Sequence, residues 1–112
     1  MVESVNYIGK TITIQIDRPL GSLHPQHGFM YLVNYGVLPG ETGKDGEELD
    51  AYLLGVFEPV EHYTGVCIAV IHRLNDEDDK LVVAPQGCSY SPEQIRSLTE
   101  FQERFFTSEI LT

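Results

Sequence analysis

A small, mainly β protein with one C-terminal helix is the fold this chain predicts, and three observations carry it. Residues 11 to 17 alternate strictly between apolar and polar side chains. Further apolar runs of strand length follow, each bounded by Gly, Pro or charged residues. After residue 91 the apolar period changes from two to that of a helix. Five or so short strands with turn-rich connections favour a small antiparallel barrel, and closing the sheet removes exposed edges. The 112 residues are enough for one domain, 1–112, with one core.

The elements follow in order. Ile12, Ile14 and Ile16 lie on one side of the first strand; Thr11, Thr13, Gln15 and Asp17 lie on the other. Pro19, Gly21 and Pro25 make 18–27 a loop. Gly28 to Val33 reads as a second strand, after which Asn34-Tyr35-Gly36 and Pro39-Gly40 break the pattern. Residues 50–57 form a third strand, ended by Glu58-Pro59. Thr64 to His72 is the fourth, and Lys80 to Ala84 the fifth, stopped by Pro85. Ser91, Pro92 and Gln94 then spell a helix start, with an N-cap, a first-turn proline and a capping box. Ile95, Leu98, Phe101, Phe105 and Phe106 recur at helical spacing, predicting one amphipathic helix from 92 to about 108 that packs on the barrel.

Composition excludes several partners. Net charge is −10, from 17 acids against seven Lys and Arg. Nonspecific nucleic-acid binding needs clustered cations and an anionic membrane repels acids, so neither is expected. No apolar stretch is long enough to span a bilayer, and the N-terminus lacks the pattern of a secretion signal, which reads as a soluble, cytoplasmic protein. Cys67, inside the apolar run 66–70, reads as a reduced core thiol, and no CxxC spacing suggests zinc.

Nine of the 17 acids fall in positions 41–50 and 76–79. Each cluster ends in an apolar run, Ala51-Tyr52-Leu53-Leu54 and Leu81-Val82-Val83-Ala84. Carboxylates crowded at strand ends repel unless something positive sits between them. Hard divalent cations prefer oxygen ligands, which points to magnesium with a phosphate compound beside it. Lys80, directly after four acids, suits a phosphate oxygen. The bland alternative for each cluster is a solvated turn kept soluble by charge.

Taken together, Asn34-Tyr35-Gly36-x-x-Pro39, Asp45-Gly46-Glu47-x-Leu49-Asp50 and Asp78-x-Lys80 resemble the soluble, magnesium-dependent inorganic pyrophosphatases, over roughly residues 28–85. The resemblance implies a five-stranded barrel of the OB type. It implies Asp45, Asp50, Asp76 and Asp78 as magnesium ligands, with Asp50 also counted among the catalytic groups. Tyr35 and Lys80 would touch phosphate, and Glu47 would orient or deprotonate the attacking water. A homo-oligomer is in keeping with the family.

The chain also departs from that pattern. Glu47 stands where the family has an aspartate, one methylene shorter. Thr13-Ile14-Gln15 supplies neither charge of the family's Lys-x-Glu pair, His24 and His27 replace an arginine, and residues 86–112 contain no lysine. Arg18, Lys44 and Arg73 are the replacement cations on offer, with Arg73 the foremost for substrate binding. Two functions follow: magnesium-dependent hydrolysis of pyrophosphate or a related phosphoanhydride, or a non-catalytic module that kept a metal and phosphate pocket.

Overall fold

In the computed structural model, which describes residues 3–42, 46–76 and 78–112, a short 3-10 helix at Ser4–Tyr7 leads into the first strand. The strands are β1 (Thr11–Arg18), β2 (Asn34–Thr42), β3 (Glu48–Leu53), β4 (His62–Arg73), β5 (Asp79–Ala84) and β6 (Ser108–Leu111). One helix, α1, spans Pro92–Glu103. Antiparallel pairs join β1 to β2, β2 to β3 and β5 to β4, and β4 returns to β1. The closing neighbours β3 and β5 are parallel, with Ala51 opposite Leu81. Five strands thereby form a closed barrel, as the sequence predicts, but not the wholly antiparallel one expected, because β3 and β5 run the same way.

Two layers of core explain the apolar runs. Ile14, Ile16, Ala51, Leu53, Leu81 and Val83 fill the barrel. Their neighbours Tyr52, Leu54 and Val82 point the other way and pack with Ile95 and Phe101 of α1. A strand buried on both faces reads as a continuous apolar run rather than an alternating one. The helix starts as predicted: the Gln94 amide donates to Ser91 Oγ at 3.1 Å, and the Ser91 amide donates to Gln94 Oε1 at 2.8 Å.

Two expectations fail. Gly28–Val33 is not a strand; it holds only an isolated bridge between Met30 and Leu23. The strand begins instead at Asn34, among the turn-like residues expected to interrupt it. Gly36 is required there by close approach. It sits opposite Ile16, and a Cβ would overlap the Gln15 carbonyl oxygen and come within 2.8 Å of the Ile16 backbone. Asn34 is wholly buried and acts as a staple: its Oδ1 accepts from the Leu20 amide at 2.9 Å, and its Nδ2 donates to the Glu58 carbonyl at 2.9 Å.

The helix also ends at Glu103, not near 108. The chain turns so that β6 can pair with the Val70–Arg73 half of β4, beyond the reach of β1. Covering that edge satisfies backbone groups that a longer helix would leave bare. Phe105 and Phe106 therefore leave the helical stripe, and Phe105 is 57% exposed.

Candidate functional site

The parallel register sets Asp50 opposite Lys80, and the β4–β5 connection brings Asp78 to the same place. Lys80 Nζ lies 2.5 Å from Asp50 Oδ2 and 2.8 Å from Asp78 Oδ2, with the Tyr35 ring 5.9 Å away. Lys80 is buried, and burial alone disfavours its ammonium. The Tyr35 hydroxyl and the Asp50 and Asp78 carboxylates outweigh that and hold the ammonium above its ordinary value. The positive group between the crowded carboxylates is thus a lysine of the chain itself.

Arg73 is committed elsewhere. Its Nε donates to Glu103 Oε1 at 3.0 Å and its Nη2 to Glu103 Oε2 at 2.7 Å, while its guanidinium stacks 3.5 Å from the Phe106 ring centre. Asp78 and Asp76 lie further off, at 3.5 and 3.9 Å from Nη1. Glu103 on α1 is itself buried and also accepts from the Tyr52 hydroxyl at 2.5 Å. From Tyr52 the network passes through Gln102 to Tyr31, whose hydroxyl accepts from Arg18 at 2.9 Å. Buried charge is tolerated only when paired and hydrogen-bonded, and here one chain of contacts ties the helix to the barrel mouth.

Beside this network opens a cleft of about 670 Å³. Its wall carries Arg18, Arg73, Lys80 and Arg104, together with His24 and His27. Four of the chain's seven Lys and Arg therefore meet in one cleft of a protein with net charge −10. A β-bulge between Ile16 and Arg18 interrupts the strand register where Asp17 and Arg18 reach the cleft. Although water still reaches Asp17, partial desolvation raises its carboxyl. Arg18 and its own backbone lower it, and the Asp50 and Glu48 carboxylates raise it further. His24 is lowered by desolvation and by the nearby Arg18 and His27, which favours a neutral ring. Its Nδ1 accepts the Gln26 and His27 amides, each at 3.1 Å.

The residues singled out by the sequence divide accordingly. Tyr35, Asp50, Arg73 and Lys80 share the cleft wall. Asp78 lies behind Lys80, and exposed Asp76 turns its Oδ1 to the Asp78 amide at 3.1 Å. Glu47 is exposed on the turn before β3 and does not line the cleft. Asp45 and Lys44 lie outside the described residues. Among the described residues no three acids, histidines or cysteines gather as a metal cage. The donors present suit a different arrangement. Asp17 and Asp50 both line the cleft, and a magnesium ion arriving on a phosphate compound needs only one or two protein carboxylates.

Sequence reasoning missed Asp17, Arg104 and the anchor Glu103. Asp17 and Arg18 were visible as charges ending an alternating strand, and the bulge that brings both to the cleft was not. Glu103 carried no signal, because an acid in a late helical turn ordinarily faces water.

The architecture is that of a closed five-stranded barrel with a parallel closing pair and a helix across one outer face. It is the fold of the inorganic pyrophosphatases. The enzyme of that name from Ehrlichia chaffeensis superposes with a TM-score of 0.70 at 18% identity, over 91% of this chain and 85% of that one. Those from Helicobacter pylori and Coxiella burnetii give 0.65 at 15% and 0.64 at 17%, over 93% and 92% of this chain and 84% of each of theirs. No family model and no curated protein sequence matches the chain. Among the described residues no helix is long and apolar enough to cross a membrane.

Proposed function

We propose that the cleft takes a phosphoanhydride, with inorganic pyrophosphate the simplest, and that the chain hydrolyses it with magnesium. The supporting observation is the convergence of Arg18, Lys80 and Arg104 on one cleft of a strongly acidic protein. Phosphoryl transfer depends on positioning and on neutralising charge, so cations at the phosphates are the first requirement.

In this reading Arg18 and Arg104 bind phosphate oxygens, and Lys80 holds one of them against Tyr35. Asp50 would hold the magnesium that arrives with the phosphates. That ion, when bound, withdraws charge from the anhydride and acidifies a water. Asp17 accepts the proton as the water oxygen bonds to one phosphorus and the bridging P–O bond breaks. Arg18 and Lys80 then stabilise the leaving phosphate. The base is assigned to Asp17 rather than Glu47 because Asp17 lines the cleft. Arg73 acts as a positioning residue, holding α1 and the Asp78 loop.

The test is phosphate release from pyrophosphate by the purified chain, with magnesium and with chelator. Release that depends on magnesium and falls at least about a hundredfold in Asp50→Asn is expected. A second reading, binding without turnover, is favoured by one observation: Lys80 already neutralises Asp50 and Asp78. Calorimetry showing pyrophosphate binding with no release would establish it. Absence of both binding and release would sink the site altogether.

A further inference from the structure

The geometry points to a phosphoanhydride that carries an aromatic ring, a nucleoside 5′-diphosphate, as the occupant of this cleft; the inference rests on the phosphate reading above. The volume, about 670 Å³, lies within the range of about 300–1,000 Å³ that holds a ligand of cofactor or drug size. Pyrophosphate at Lys80 and Arg18 leaves much of that space to water.

The rest of the cleft is aromatic. Ring centres follow one another from Tyr35 to Tyr31 at 5.4 Å, Tyr31 to Phe29 at 5.5 Å and Phe29 to Phe105 at 6.0 Å. His24 lies 4.8 Å from both Phe29 and His27. Along this row burial decreases. Tyr31 and Tyr35 belong to the core, Phe29 and His24 are more open, and Phe105 is 57% exposed. Tyr31, Tyr35 and the partly buried Phe29 are explained by packing, but Phe105 is not, since an exposed phenylalanine gains little from the core. The Arg104 guanidinium lies 4.9 Å from the Phe105 ring centre, so one of the phosphate-binding cations abuts the outermost ring. Rings and guanidinium planes are the groups on which a base stacks. The two Nδ1 hydrogen bonds fix the His24 ring before any ligand arrives. One end of the cleft thus recognises phosphate and the other offers a stacking platform.

Calorimetry with magnesium on the full chain carrying Asp17→Asn, which removes the proposed base and so stops turnover, tests this with pyrophosphate, tripolyphosphate and adenosine diphosphate. Adenosine diphosphate is expected to bind at least about tenfold tighter than pyrophosphate, one stacked base being worth roughly that or more. Phe105→Ala is expected to reduce this preference about tenfold. Because Phe105 is exposed the variant folds, and His27→Ala, also exposed, gives a second reading. The inference is overturned if adenosine diphosphate is no tighter than pyrophosphate. It is equally overturned if tripolyphosphate gains as much, or if the preference is unmoved in both variants. Pyrophosphate binding alone would then leave the phosphate site standing, whereas no binding by any of the three removes both.

Discussion

Replacing Lys80 by methionine tests whether its ammonium stands where a metal would otherwise be needed. Methionine keeps most of the apolar stem and removes the charge. The Asp50 and Asp78 oxygens, held to the same nitrogen at 2.5 and 2.8 Å, can be no more than about 5 Å apart. Two carboxylates at that spacing repel by about 3 kcal/mol at an effective dielectric of roughly 20, part of which Arg73, 3.5 Å from Asp78, offsets. Side-chain exposures of 30% and 23% admit some water, so a loss of about 2 kcal/mol is expected in chelator. Magnesium should then enter the vacated position. At ten times its dissociation constant it returns about 1.4 kcal/mol, by binding only the folded state. Urea unfolding of both proteins, in chelator and in magnesium, measures all four numbers. The reasoning is refuted if Lys80→Met is as stable as the parent in chelator, or if magnesium stabilises it no more than the parent.

Other expectations concern the frame. Glu103→Gln leaves Arg73 buried beside a neutral partner, and the loss should be about 3 kcal/mol in urea unfolding; a change under about 1 kcal/mol would show the pair is dispensable. Gly36→Ala forces β1 and β2 apart and should cost on the order of 4 kcal/mol or abolish soluble folding, checked by expression and circular dichroism. Burial pushes the Cys67 thiol up to about 11, although backbone hydrogen bonds with Ala69 and Val82 lower it. The unfolded thiol ionises first, near the ordinary 9.0, so the folded state binds more protons between there and about 11. Stability should therefore fall as pH rises through that window, by about 2–3 kcal/mol in all, and Cys67→Ala should flatten the slope.

The NYG segment shows how much of the site was legible. As letters, Asn34, Tyr35 and Gly36 looked like an interruption and served only to mark a resemblance. In the fold the three act separately. Asn34 staples two loops, Tyr35 faces Lys80, and Gly36 permits the strands to cross. Residues 28–33 misled because an apolar run of strand length does not say whether a neighbouring strand lies within hydrogen-bonding reach. Phe105 and Phe106 misled because the helical period continued by chance beyond the point where β4 needed a partner.

By itself the sequence determined what local chemistry can determine. Alternation and double-sided apolar runs set the barrel strands, a capping box set the helix start, and adjacent acids marked the strand ends that meet. Which charge faces which was left to the tertiary structure. The parallel pairing of β3 with β5 placed Lys80 between two aspartates, and α1 delivered Glu103 to Arg73, a partner 30 residues away. The cationic cleft exists only after closure, because its walls come from β1, the loop after it, β5 and the end of α1, and an ionic contact depends on separation in space rather than along the chain.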